Sequence, residues 1–136
     1  MKEKKFEILE HTADLKIRSF GKTKEDLFKN SLFGMSFVQK TELPAGEKIF
    51  IKLKIESADA AALLIDFLSE VLTQSQINRA VFYNADFSKL SDTELEAEIK
   101  GVKIAEFDED IKAVTYHGAE IVQKDGVYEA TVIYDI

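Results

Sequence analysis

The chain has 136 residues, of which 46% are apolar, with no cysteine and a formal net charge of −7. This apolar fraction can supply a buried core and excludes intrinsic disorder, and the lack of cysteine excludes disulfides, thiolate zinc sites and cysteine nucleophiles. An acidic chain with scattered cations is repelled by phosphate backbones, so we expect no tight independent binding of nucleic acid. The longest apolar stretch, residues 60–68, is interrupted by Asp66 and is too short for a bilayer. With no signal peptide visible, we expect a cytoplasmic protein without membrane association.

The first third of the chain predicts two strands and a helix. Residues 6–9 and 15–20 are rich in apolar residues, and residues 11–14 link them. Thr23 precedes apolar residues at near-helical spacing and stands three positions before an acid. We therefore predict a helix over Lys24–Gln39 with Thr23 as its cap.

The middle of the chain predicts a strand and a second helix. Apolar and charged residues alternate over residues 48–56, which is the period of a strand with one buried face. Asp59 can cap the helix that follows, predicted over Ala60–Asn78. Because the apolar residues of this helix cover a wide face, we expect it to be well buried.

The last third of the chain predicts strands. Residues 81–83 form a short one, and the alternation of apolar residues then changes phase, which predicts a β-bulge at Lys100-Gly101. Residues 112–122 and 127–136 predict a hairpin around the two-residue turn Asp125-Gly126.

The order of these elements predicts an α+β fold, with two helices packed on a mostly antiparallel β-sheet, in one domain over residues 1–136. In the predicted hairpin, Tyr116 lies opposite Asp135. Cross-strand partners share a face of the sheet. We therefore expect Asp135 on the same face as Tyr116 and Lys112, and His117 on the opposite face.

Two acids near the ends of the chain are the strongest candidates for a site. Asp14 stands just before an apolar strand, and Asp135 stands next to the final residue, Ile136. If they meet, two carboxylates and a chain end form an all-oxygen pocket for a hard cation. Each acid also has a plainer interpretation, Asp14 as a turn residue bonded to nearby backbone and Asp135 as an exposed acid.

The remaining polar residues favour structural interpretations. His11 is more often a packed histidine than a ligand, and Asp66 falls on what reads as the polar edge of the second helix. The acids between Glu106 and Asp110 lack the spacing and the glycine of an EF-hand, so we predict a solvated loop. The sequence contains no glycine-rich phosphate loop and no recognisable Ser-His-Asp arrangement.

Three short segments together resemble the archease family. They are HTAD at residues 11–14, KAVTYHG at 112–118 and the final VIYDI, in the family's order and spacing. Archeases are accessory proteins of the tRNA-splicing RNA ligase. That ligase is guanylylated on a histidine, uses metal ions, and joins RNA ends carrying a 2′,3′-cyclic phosphate or 3′-phosphate to 5′-hydroxyl ends. The resemblance implies a non-catalytic factor that promotes guanylylation and multiple turnover of such a ligase.

The same resemblance implies the functional residues. Asp14, Asp135 and the backbone oxygen atoms of Ile136 would hold a divalent cation, Ca²⁺ first, with Mg²⁺ or Mn²⁺ as alternatives. Lys112 would contact the partner or a phosphate. Weaker candidates for that contact are His11, His117 and Asp66.

Two other functions stay open at this point. One is a chaperone or specificity modulator of another RNA-modifying enzyme, such as a tRNA methyltransferase, which is also ascribed to this family. The other is a small metal-dependent hydrolase that uses a pocket between Asp14 and Asp135. A ligase reaction run with and without the protein distinguishes all three.

Overall fold

The computed structural model describes residues 4–9 and 14–136 of the chain. Within these residues two helices and eight strands form, which confirms the predicted α+β fold with antiparallel sheets. In chain order the elements are β1 (Phe6–Leu9), β2 (Leu15–Gly21), α1 (Lys24–Gln39), β3 (Lys48–Glu56), α2 (Ala60–Asn78), β4 (Ala80–Leu90), β5 (Glu94–Lys103), β6 (Ala113–Thr115), β7 (Ile121–Lys124) and β8 (Val127–Asp135).

Both helices begin where their capping residues predict. The Thr23 hydroxyl accepts a hydrogen bond from the backbone N–H of Asp26 at 3.0 Å, and the Asp59 carboxylate accepts one from the N–H of Ala62 at 2.8 Å. Each bond satisfies an N–H that has no partner inside its helix. Helix α2 ends at Asn78, and its C-cap residue, Arg79, has a left-handed backbone with φ of 49°.

The strands form two sheets. The first has the order β1-β2-β8-β6, and β7 also pairs with β8. The second has the order β3-β5-β4, so β3 is an edge strand. Strand β8 is the centre of the first sheet, because it pairs with β2 along one side and with β6 and β7 along the other.

The core lies between the helices and both sheets. Helix α1 contacts β2 of the first sheet and β4 of the second, and α2 contacts β6 and all three strands of the second sheet. Aromatic rings join these layers: the Phe67 ring lies 5.9 Å from that of Phe28 and 5.4 Å from that of Phe87, between ring centres. No helix in the described part of the chain is long and apolar enough to cross a membrane.

The bulge predicted at Lys100-Gly101 is wrong as placed. Strand β5 pairs with β3 without a break through both residues. The irregularity lies on β4, where the register shifts between Phe82 and Asn84, the partners of Gly101 and Lys100. Gly101 makes this close approach feasible, because a Cβ atom there would lie 2.6 Å from the Val81 carbonyl oxygen.

The change of phase in β5 has a different cause from a bulge. Ile99 belongs to the main core, whereas Val102 and Ile104 pack with Val81 in a second, smaller cluster. Since successive residues of a strand point to opposite faces, the end of β5 buries both of its faces. Strand β4 also extends to Leu90, well beyond the short strand predicted at residues 81–83.

The hairpin at the end of the chain is only partly as predicted. The turn is confirmed, since Lys124 pairs with Val127. The predicted strand over residues 112–122 is in fact two strands, and the five residues 116–120 face only two residues of β8. The three extra residues form a turn, in which Gly118 has φ of +65° and the N–H of Ala119 donates to the Tyr116 carbonyl at 3.1 Å.

This insertion overturns the predicted faces. Ala113, not Tyr116, is the residue opposite Asp135. An odd shift in register moves residues to the other face of a sheet, so the expectation that Asp135 shares a face with Tyr116 and Lys112 is wrong. His117 lies exposed in the turn and outside the strands, not on the opposite face of one.

Candidate functional site

One end of the first sheet brings the two predicted acids together. The ladder between β2 and β8 ends at the pair Leu15 and Tyr134. Asp14 stands in a bend just before Leu15, and Asp135 follows Tyr134, so both acids lie at this end of the β2–β8 ladder.

Asp135 projects away from the core. Tyr134 points toward the helices and is 1% exposed, and the next residue of the strand, Asp135, therefore projects from the opposite, outer face of the first sheet. Asp135 is exposed and Asp14 is half-buried, and Ile136 is 43% exposed. The pair is thus open to an approaching molecule.

Lys112 is fixed beside Asp135 through its backbone. Its N–H donates to the Asp135 carbonyl oxygen at 2.8 Å. The preceding residue, Ile111, is 1% exposed, and its carbonyl accepts a hydrogen bond from the Gln76 amide of α2 at 3.0 Å. Packing against α2 and pairing with β8 therefore bring the exposed Lys112 to the same end of the sheet as the acids.

The donor atoms at this end suit a hard cation. Two carboxylates and the backbone oxygens of the final residue are all oxygen ligands, which Ca²⁺, Mg²⁺ and Mn²⁺ prefer. Among residues 4–9 and 14–136 no group of three or more His, Asp or Glu side chains could hold a metal ion. A cation here would depend on two side chains and on backbone or water oxygens, a common arrangement for Ca²⁺ and Mg²⁺. His11 lies outside the described residues.

Asp66 does not belong to this end of the sheet but has defined partners of its own. Its carboxylate accepts hydrogen bonds from the hydroxyl of Tyr116 and from that of Ser57, the latter at 2.5 Å. The bond to Asp66, followed by partial burial, raises the pKa of Tyr116. We call this contact the Asp66–Tyr116 latch. It joins the turn at residues 116–120 to helix α2, and the sequence contains no local signal for it because the partners are far apart along the chain.

The acidic segment after β5 is mostly solvated, as predicted. Glu106, Glu109 and Asp110 are exposed. Asp108 has a structural role that sequence reasoning missed: its carboxylate accepts from the Thr41 N–H at 2.9 Å and from the Lys40 ammonium at 3.3 Å. These two bonds, the Thr41 bond foremost, lower the pKa of Asp108 and hold the segment against the end of α1.

Comparison with known sequences gives one consistent result over almost the whole chain. Residues 6–136 match the model of the archease protein family (MTH1598/TM1083). The protein archease of Methanosarcina mazei is 34% identical over 142 residues, covering 98% of this chain and 97% of the relative. That of Pyrococcus furiosus is 32% identical over 143 residues, covering 98% and 99%.

Solved structures share the fold. The solution structure of Methanobacterium thermoautotrophicum protein 1598 matches with a TM-score of 0.74 and 28% identity, covering 96% of this chain and 98% of that one. The crystal structure of a Thermotoga maritima archease, described as a possible chaperone, matches with a TM-score of 0.68 and 17% identity, covering 94% of each chain. With the family model matching nearly every residue, the chain belongs to the archease family.

Proposed function

We propose that this protein is a non-catalytic activator of a tRNA-splicing RNA ligase, and that it acts by presenting a divalent cation to that enzyme. The observation that carries the proposal is the β2–β8 ladder, whose last pair, Leu15 and Tyr134, adjoins Asp14 and Asp135 at the end of the sheet where Lys112 is anchored. Membership of the archease family supports the choice of partner.

Each residue of this end has a role in the proposal. Asp14, Asp135 and the backbone oxygens of Ile136 hold the cation, Ca²⁺ in preference to Mg²⁺ or Mn²⁺. A bound divalent cation supplies concentrated positive charge, which attracts phosphate oxygens. Lys112 provides a further exposed cation next to Asp135 for a phosphate or an acidic group of the partner.

The acidic character of the chain favours action on the enzyme over action on RNA. A net charge of −7 repels a phosphate backbone and attracts a basic RNA-binding protein. The Thermotoga maritima relative is described as a possible chaperone, which also favours a protein partner. The proposal therefore places the protein in a transient complex with the ligase, which itself performs the chemistry and holds the RNA.

The test is ligation under multiple-turnover conditions with purified RNA ligase. The substrates are RNA ends bearing a 2′,3′-cyclic phosphate or 3′-phosphate and ends bearing a 5′-hydroxyl, and guanylylation of the ligase is followed in parallel. The wild-type protein should increase both guanylylation and the number of turnovers. Asp14→Asn/Asp135→Asn should not, whereas Asp125→Asn in the distant hairpin turn should act like wild type.

Two results would overturn the proposal. One is a ligase that turns over equally well with and without the protein. The other is metal-dependent cleavage of RNA or nucleotide by the protein alone that Asp14→Asn abolishes, which would favour a small hydrolase. Stimulation of a tRNA methyltransferase in place of the ligase would support the chaperone alternative.

A further inference from the structure

An open groove of about 520 Å³ lies between strand β3 and helix α2, on the second sheet. Its β3 side is formed by the consecutive residues 52–55, and its α2 side by one stripe of the helix from Asp66 to Gln74. Successive residues of a strand point to opposite faces. Residues 52–55 can therefore all line one groove only if the groove runs along the free edge of β3, where both faces of the strand are accessible.

Hydrogen bonds at both ends of β3 fix which backbone groups face this free edge. The Glu47 carbonyl accepts from the Lys103 N–H at 2.9 Å, and the Ser57 N–H donates to the Thr93 carbonyl at 2.8 Å. Each of these two bonds joins residues that are opposite each other when the β3–β5 register is continued past the ends of the strand. The odd-numbered residues of β3 therefore direct their backbone N–H and C=O groups to β5. The even-numbered residues, Lys52 among them, direct their N–H and C=O groups into the groove.

These outward groups have no partner within residues 4–9 and 14–136. Strand β3 pairs only with β5, and no backbone bond outside that ladder involves Phe50, Lys52 or Lys54. A row of open donors and acceptors on an edge strand is a template for pairing with another extended chain. Helix α2 supplies the opposite wall, and its stripe from Asp66 to Gln74 extends about 12 Å at 1.5 Å per residue. This length matches a segment of about four extended residues.

Charge decides what kind of chain fits. Lys48, Lys52 and Lys54 project from one face of β3, exposed to solvent. Lys52 and Lys54 face Glu98 and Glu96 across β5, yet in the described part of the chain neither lysine forms an ion pair. The strand thus offers cations that are open to an incoming carboxylate.

A second copy of this chain fits poorly. Pairing β3 with β3 of another molecule would bring two lysine-rich rows together, and like charges on neighbouring strands are destabilising. Lysines on an edge strand are a known means of preventing such self-pairing. Carboxylates at alternate positions of a different segment would instead meet Lys52 and Lys54.

We propose that the free edge of β3 binds an extended acidic segment of a partner protein by strand addition, with its carboxylates at alternate positions beside Lys52 and Lys54. Its opposite side chains are uncharged hydrogen-bond donors, because the α2 wall that they meet carries the carboxylates of Asp66 and Glu70 as well as the hydroxyls of Ser69 and Thr73. This site lies on the second sheet and is independent of the acids at the end of the first.

The test uses a fluorescein-labelled peptide of alternating Thr and Glu, with a peptide of alternating Thr and Lys as its control. Fluorescence anisotropy measures binding to the full-length protein. Amide hydrogen exchange by NMR reports the geometry. In the free protein the amides of Phe50, Lys52 and Lys54 should exchange fast, and the acidic peptide should protect them, whereas the amides of Ile51 and Leu53 should be protected throughout.

A pair of variants separates backbone pairing from charge. Lys52→Pro and Lys52→Thr both remove the ammonium, but only the proline removes the N–H that faces the groove. Proline is tolerated where its missing N–H would face away from the sheet. Lys52→Pro should bind the acidic peptide about tenfold more weakly than Lys52→Thr, because one backbone hydrogen bond is lost.

A second pair tests the charges without touching the backbone. Lys52→Glu/Lys54→Glu should abolish binding, and Lys4→Glu/Lys124→Glu, which changes the net charge equally, should not. Equal binding by the proline and threonine variants, or equal binding of the acidic and basic peptides, would overturn the proposal. So would dimers in sedimentation velocity that Lys52→Pro dissolves, since the occupant would then be a second copy.

Discussion

Leu15 and Tyr134 form the last pair of the β2–β8 ladder, and Asp14 and Asp135 are their immediate neighbours at this end of the sheet. The register that sets them there is anchored by Tyr134, a residue of that last pair, which is 1% exposed. Burial raises the pKa of the Tyr134 hydroxyl, so this anchor stays neutral. A core residue therefore positions a surface pair, and this explains how acids from the two ends of the chain can form one site.

Removing either acid should weaken cation binding without unfolding the protein. Because neither Asp14 nor Asp135 belongs to the buried core, replacing a carboxylate by an amide leaves the core unchanged and removes one of few charged ligands. We expect Asp14→Asn and Asp135→Asn each to weaken Ca²⁺ binding at least about tenfold, as affinity follows the number of charged ligands. Isothermal titration calorimetry measures this, with Asp125→Asn as the matched control. Unchanged Ca²⁺ affinity in Asp14→Asn would remove Asp14 from the site.

Breaking the Asp66–Tyr116 latch should loosen the turn at residues 116–120. Tyr116→Phe removes the hydroxyl that donates to Asp66 and should lower the free energy of unfolding by about 0.5–1 kcal/mol, the usual net value of one hydrogen bond. The Ala119 amide, bonded within this turn, should exchange faster. Urea denaturation and hydrogen exchange measure both effects. Tyr128→Phe is the control, because the Tyr128 hydroxyl has no hydrogen-bond partner among the described residues. Equal stability and exchange in both variants would show that the latch contributes nothing.

The aromatic cluster should dominate the stability of the core. Phe67 is fully buried and contacts the rings of Phe28 and Phe87. Phe67→Ala should lower the free energy of unfolding by about 3–5 kcal/mol, since it combines lost burial with a cavity. Ile77→Ala on the same helix, where Ile77 is 69% exposed, should change it by less than about 0.5 kcal/mol. Denaturant unfolding compares the two, and similar losses would contradict the position of the core.

Asp108 should make stability depend on pH in the acid range. Its folded-state pKa is lowered by the Thr41 N–H and the Lys40 ammonium. A lowered pKa stabilises the fold above the unfolded value, about 3.9, and this contribution is lost as pH falls through the folded-state pKa. Wild type should therefore be more stable than Asp108→Asn near neutral pH, with the difference disappearing below about pH 3.9. Urea denaturation across this range measures it, and a difference that grows on acidification would contradict the assignment.

Local signals in the sequence were sufficient for the helices and for one turn. Thr23 and Asp59 can cap a helix whatever lies around them, and both helices have the predicted bounds. The Asp125-Gly126 turn fixed the β7–β8 register because a two-residue turn allows few alternatives.

The predictions failed where distant parts of the chain decide the structure. Gly118 is a local turn signal near Tyr116, but the sequence does not show that three extra residues leave the strand there, because that number depends on how β6 and β7 each pair with β8. The apolar pattern at the end of β5 predicts a bulge because both faces of the strand are buried there. Burial of the second face depends on residues that are distant along the chain, such as Val81. The position of Asp14 and Asp135 at one end of the same ladder is also non-local. The residues alone gave it as a condition for a cation pocket, and the family resemblance implied it.

The most direct test of the proposed function is to remove Asp135 and Ile136. The deletion takes away one carboxylate and moves the chain end by about 6.6 Å, at about 3.3 Å per residue of strand. A Ca²⁺ ion with ligands at about 2.3–2.6 Å cannot accommodate that displacement. Tyr134 and the rest of the core remain, so circular dichroism should show a folded protein. We predict that this protein no longer binds Ca²⁺ and no longer stimulates multiple-turnover ligation. A folded, truncated protein that stimulates the ligase as well as the full chain would contradict the account.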